Sequence, residues 1–324
     1  MLCAGLLAGT AAARAQDVFG RGEDVLPREL EPMYRRGLAY LVKTQTELGC
    51  WEAHYGKQPG VVGLAVLAML AHGDEPNTGP YARPIRKGLS YIVGSANKGT
   101  GFIGDSMYNH GFATLALAEA YGMVEMPTLQ PTLERAIGLI LASQAQNKAG
   151  AWRYKPDSKD ADSTVSGAIL VALFAARNAG FGVPEAAVTK ALDFYRRVQN
   201  SDGGFGYVNR SRSNMPRTAI GTLMFALAKK RDEPECRSGL RYLQARIMNA
   251  QQGYYYYYLY YVSQSLFQAD PETWVKWNTF NMVQLKQSQN ADGSWTGQHG
   301  PAFSTAAALL SLAVNYRFLP IYER

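Results

Sequence analysis

The sequence predicts an all-α protein: a single (α/α)6 toroid, in which six helical hairpins form an inner and an outer ring of helices around one axis. Three observations carry this. A short turn built on glycine and an aromatic residue recurs six times. A helix with one charged face precedes the turns, and a helix apolar on all sides follows them. Fixed-period self-similarity is the signature of stacked supersecondary units.

The turns read GCW (49–51), TGF (100–102), GAW (150–152), GGF (203–205), GYY (253–255) and GSW (293–295). Their aromatic ends are Trp51, Phe102, Trp152, Phe205, Tyr255 and Trp295, at spacings of 51, 50, 53, 50 and 40. Two carry a polar flag ahead of the glycine, Gln199-Asn200-Ser201-Asp202 and Gln289-Asn290-Ala291-Asp292.

The helices follow in order. PTLERAIGLILASQAQ from Pro131 and PEAAVTKALDFYRRVQ from Pro184 open on proline and repeat apolar residues at spacings of three and four. Charges such as Arg35, Arg36, Arg135, Arg196 and Arg197 mark these as outer helices touching water. MYNHGFATLALAEAYG stops at Gly122. STVSGAILVALFAARNAG starts at Ser163 or Thr164 as N-cap and stops at Gly180. GVVGLAVLAMLAHG and the stretch from Phe303 to Val314 are equally apolar. A helix apolar all round must be surrounded, so these form the inner ring. Closure is preferred over an open solenoid, whose two apolar ends would need polar caps. The run GYYYYYLYYVSQSLFQ (253–268) is then the fifth turn and the start of the fifth inner helix. Some of its rings pack on neighbouring helices and some point into the central cavity.

QNSDGGFGY and QNADGSW resemble the QW-type repeats of squalene–hopene cyclases and protein prenyltransferase β subunits. MYNHGFATLALAEAYG, GAWRYKPDSKDADSTVSG and VNYRFLPIY are similar to exported bacterial prenyltransferase/squalene-oxidase-repeat proteins. The likeness spans residues 33 to about 320 and implies the α/α toroid of the terpenoid cyclases and a lipid guest in its cavity. Two departures matter. The cyclases resemble two such barrels joined, with an acid motif D-x-D-D followed by T; here Asp160-Ala161-Asp162-Ser163-Thr164 has serine for the third carboxylate. The Asp-x-Cys of the prenyltransferase zinc site does not occur.

The six turn-to-helix junctions must lie at one end of the ring, where residues distant in sequence converge. Candidate catalytic residues there are Asp160, Asp162 and His110. Asp160 and Asp162 read either as an acid pair or as helix cap and solvated neighbour. His110 reads as base or as a hydrogen-bonded structural residue. Candidate ligand-binding residues are Tyr108, Trp152, Tyr154, Arg217, Tyr256, Tyr257 and His299. Cys50-x-x-x-His54 has zinc-like spacing but needs a further ligand that only His110, Asp160 or His299 could supply, and no metal is expected. No cofactor motif is found.

Residues 1–15 are apolar and end in Ala13-Arg14-Ala15, read as a signal peptide. Residues 16–32 then form an extension and 33–324 one toroid domain. The expected location is outside the cytoplasm, and no transmembrane segment is expected. The net charge of +7 is spread along the chain, which disfavours nucleic acid. The expected partner is a hydrophobic small molecule, an isoprenoid or other lipid, either bound only or also transformed as in a squalene cyclase. A non-catalytic binding or assembly module and a carbohydrate-active toroid are the alternatives.

Overall fold

The computed structural model describes residues 26–52, 54–248 and 254–323. The signal-peptide stretch and most of the extension lie outside them. The described residues form twelve α-helices: α1 (Leu30–Thr44), α2 (Pro59–Leu70), α3 (Ala82–Gly94), α4 (Met107–Ala120), α5 (Leu129–Ala145), α6 (Ser163–Asn178), α7 (Glu185–Val198), α8 (Met215–Leu227), α9 (Pro234–Gln244), α10 (Tyr255–Ala269), α11 (Pro271–Ser288) and α12 (Pro301–Ala313).

The even-numbered helices form the inner ring, each packed on the next, with α12 returning to α2. The odd-numbered helices sit outside, and α1 packs on α12, so the ring is closed. Every residue of α2 and of α12 after Pro301 is buried. On α7, by contrast, Glu185 lies in the first turn and Arg196 and Arg197 in the last, charges that complement the helix dipole. Small residues set the inner spacing. A Cβ on Gly63 would lie 2.7 Å from the Phe112 carbonyl oxygen, and one on Gly167 only 2.2 Å from Ile220.

Glutamines at the ends of outer helices join neighbouring hairpins. Gln144 Nε2 donates to the carbonyl oxygens of Gly150 (2.7 Å) and Ala187 (2.8 Å). Gln199 donates likewise to Gly203 and Glu235, and Gln45 to Gly49 and Pro84. Gln289 donates to Gly293 (2.9 Å) and, across the seam, to Met33 (3.0 Å). Gly293 itself takes φ +90°, and a Cβ there would meet the Arg36 carbonyl oxygen at 2.3 Å. The turn tryptophans complete the joint, Trp51, Trp152 and Trp295 donating their indole N–H to Leu41, Ile140 and Leu285.

The lumen differs from the expected hollow. Phe112 on α4 and Tyr260 on α10 come from opposite walls, yet their rings lie 6.1 Å apart. Tyr260 and Tyr261 pack edge to face at 4.7 Å. The tyrosines of α10 therefore fill the middle. Tyr258 points outward instead, edge to face with Trp277 on α11.

Gln289→Ala should loosen the seam specifically. Losing two partly buried hydrogen bonds costs about 1–3 kcal/mol, read as a lowered midpoint in urea denaturation; an unchanged midpoint would mean the seam holds without the clasp.

Candidate functional site at the mouth of the toroid

Neighbouring turns hand over backbone hydrogen bonds at one end of the ring. Met107 N–H donates to the Tyr154 carbonyl (2.8 Å) and Ser163 N–H to that of Tyr207 (2.9 Å). Tyr254 N–H reaches Gln298 Oε1 at 3.3 Å. The junctions thus converge as the topology requires, and form a mouth.

A tyrosine wall lines one side. The hydroxyls of Tyr154 and Tyr207 are hydrogen-bonded to each other. The Tyr108 ring lies 6.0 Å from Tyr154. Tyr257 stands deeper, edge to face with Tyr261 at 4.9 Å. Tyr257 is partly exposed, and its buried hydroxyl sits among those of Tyr261 and Tyr108. Burial pushes the Tyr257 and Tyr261 phenols well above their usual range.

Two guanidinium groups flank Tyr207. Arg153 lies 5.6 Å from the ring centroids of both Tyr154 and Tyr207, and Arg217 lies 6.0 Å from that of Tyr207. Arg153 is ion-paired to Asp160 and lies 3.7 Å from Asp162. Arg217 donates to the Arg212 carbonyl at 2.6 Å, while its Nε is buried with no partner. Burial lowers the Arg217 pKa. Aromatic faces favour cations stacked on them, and the free guanidinium edge favours an anion.

Asp162 is wholly buried and caps α6. Its Oδ1 accepts from the backbone N–H of Thr164 (2.9 Å) and Val165 (2.8 Å) and from the Thr164 hydroxyl (2.7 Å). The Tyr108 hydroxyl in turn donates to Thr164. The Thr164 and Val165 hydrogens all run to Oδ1, while Oδ2 is buried without a hydrogen-bond partner, 3.7 Å from Arg153 Nε. The Asp162 pKa is raised by burial, against the lowering effect of these donors and of Arg153. Asp160 is mostly exposed and bound to Arg153, so the two carboxylates do not form an isolated acid pair.

The structure places three of the candidate residues away from the opening, His110 in the structural role that was one of its two readings. His110 faces α5, not the mouth: Nδ1 accepts from Ile103 N–H (3.1 Å) and Nε2 lies 3.1 Å from the Ala136 carbonyl oxygen. In the other turns Ser166, Thr218 and Thr305 receive the same bond, from Trp152, Phe205 and Trp295. His110 is thus the second turn's version of a hydroxyl latch, and Ile103 rather than Phe102 fills its buried slot. Trp152 is buried in its own hairpin and lines no opening. Tyr256 packs over Gly297, whose added Cβ would lie 2.8 Å from its ring. His299 stays at the rim, stacked on Tyr254 at 5.7 Å and edge to face with Phe303 at 5.1 Å. Cys50 and Cys236 are both buried and unpaired, and no three metal-ligating side chains converge among the described residues.

Arg153, Thr164 and Tyr207 are mouth residues the sequence reading did not single out as site residues. Tyr207 had a signal: it follows Phe205 by two positions, as Tyr154 follows Trp152.

Two substitutions check these assignments. Asp162→Ala should cost about 1–2 kcal/mol as a lost N-cap, and Asp162→Asn, which keeps the capping oxygen, less than half of that in the same denaturant titration. Burial holds the His110 pKa down at about 4. A base whose pKa is lowered by folding withdraws stability as pH falls from about 6.5 to about 4, up to about 3 kcal/mol. Stability measured across that window should fall less in His110→Gln; parallel curves would exclude the neutral, buried imidazole.

No protein-family model matches the sequence, and none of the curated proteins matches it. Solved structures do match in fold. The type II terpene cyclase MstE from Scytonema, in complex with geranylgeranyl dihydroxybenzoate, aligns over 90% of this chain and 98% of its own at 16% identity, with a TM-score of 0.62. The α-1,6-mannanase GH76A of Salegentibacter sp. HEL1_6, in complex with α-1,6-mannotriose, aligns over 89% and 99% at 9% identity, with a TM-score of 0.69. The chain has the α/α-toroid fold common to both.

Proposed function

We propose that the protein is an exported binding toroid that takes an isoprenoid or other lipid with an anionic head at its tyrosine-lined mouth. The observation that carries this is the pairing of an underused cation with an aromatic wall. Arg217 has a buried Nε without a partner beside Tyr207, and Tyr154, Tyr108 and Tyr257 continue the wall inward to a floor of Phe112 and Tyr260. An anionic head satisfies the guanidinium, and an apolar body covers the rings. The bound geranylgeranyl dihydroxybenzoate of the similar cyclase supports a prenylated guest.

Binding is favoured over turnover. Alkene protonation needs a dry carboxylic acid aimed at its substrate, whereas Asp162 caps α6 through Oδ1 with Arg153 Nε 3.7 Å from Oδ2, and His110 is occupied by backbone. The mannanase likeness supports a carbohydrate reading, but at this mouth Asp160 and Asp162 share Arg153, which leaves no free carboxylate pair for glycoside hydrolysis. The apolar stretch ending in Ala13-Arg14-Ala15 supports export.

Titrations with farnesyl diphosphate, squalene and α-1,6-mannotriose separate these readings. Farnesyl diphosphate should bind, and Arg217→Ala should weaken it about tenfold or more, the scale of one charged hydrogen bond. Failure of both farnesyl diphosphate and squalene to bind folded protein, or preferential binding of the mannotriose, would end the lipid reading.

A further inference from the structure

The end of the lumen opposite the mouth is closed by the chain itself. After α12 the backbone turns at Arg317, whose φ is 58°, and the segment Phe318–Glu323 crosses the C-terminal ends of inner helices. Leu319, Ile321 and Tyr322 are buried there. The segment contains only a single 3₁₀ turn, Pro320–Tyr322. Side chains of three inner helices hold its backbone. Ile321 N–H donates to Glu119 Oε2 on α4 at 3.4 Å. Asn178 at the end of α6 donates to the Pro320 carbonyl at 3.3 Å. Gln268 on α10 donates to the carbonyls of Ile321 (3.3 Å) and Glu323 (3.2 Å). All four are longer than the 2.9 and 3.0 Å bonds of the Gln289 clasp.

We propose that Phe318–Glu323 is a releasable stopper on the far end of the lumen, seated while Glu119 carries a proton and released when Glu119 loses it. Glu119 is 2% exposed, and its Oε1 has no hydrogen-bond partner. Tyr260 faces it from α10, and Tyr322 and Glu323 from the stopper itself. None of these is a cation; Lys229, beyond the end of α8, interacts with the outer carboxylate Glu323. An ionised Glu119 is then an uncompensated buried charge beside a second carboxylate, a condition protein interiors avoid. Lifting the stopper lets water reach it. Opening breaks four long hydrogen bonds and uncovers Leu319, Ile321 and Tyr322, which the hydration of an ionised Glu119 has to offset. Burial pushes the Glu119 carboxyl up to about 8. Seating is therefore strongest below the ordinary carboxylate range and weakens as pH rises toward 8.

Hydrogen exchange of the full-length chain, read by mass spectrometry and corrected for intrinsic base catalysis, tests this between pH 6 and 8. Protection of residues 318–323 relative to α12 should fall by up to about tenfold per pH unit, the limit for one linked proton. Glu119→Gln, which keeps an acceptor for Ile321, should remove that dependence while its melting temperature stays at or above that of the parent. Gln268→Ala should lower protection at both pH values and leave the pH slope intact. An identical pH response in the parent and Glu119→Gln, or stopper protection equal to that of α12 throughout, would overturn the proposal.

Discussion

Closure of the inner ring is the constraint on which the rest of the structure depends. The even-numbered helices have almost no polar face, so each needs neighbours on every side, and a row with two ends cannot provide them. The solution is to bring α12 onto α2 and α1 onto α12. The bond from Gln289 to Met33 joins residues 256 positions apart. It repeats across the seam the link that Gln144 and Gln199 make between successive hairpins. The seam is therefore one more copy of a local joint.

Closure creates a second problem, a central channel that must be filled or used. Here α10 fills it. Tyrosine suits the task because its ring packs like a hydrocarbon and its hydroxyl can be left at a polar edge. Tyr260 and Tyr261 close the middle against Phe112 on the opposite wall, while Tyr257 reaches up to the mouth. Toward the mouth Tyr108, Tyr154 and Tyr207 stand beside Arg153 and Arg217.

The polar residues differ in how fully the fold occupies them. His110 lies away from the mouth with both ring nitrogens against backbone groups, and Asp162 Oδ1 caps α6. Tyr207 is hydrogen-bonded to Tyr154 and flanked by Arg153 and Arg217. Arg217 Nε, Asp162 Oδ2 and, at the other end where the chain crosses the lumen, Glu119 Oε1 are buried without a hydrogen-bond partner.

The repeat of glycine and aromatic residue, the charged faces of the outer helices and the all-apolar inner helices determined the toroid from sequence alone. These are local patterns, and each states its own burial. The convergence of the six junctions also followed, because alternating helices must begin at one end. Only the tertiary structure decided the roles of individual side chains. His110 read from sequence as either a base or a structural residue, and the structural role was decided when α5 packed behind it and its nitrogens met Ile103 and Ala136. The second turn's register, with Ile103 in place of Phe102, became visible only through the shared latch bond. Whether the lumen was empty could not be read from tyrosine content, because it depends on the distance between opposite walls, and that distance is set by small residues such as Gly63 and Gly167 acting together around a closed ring.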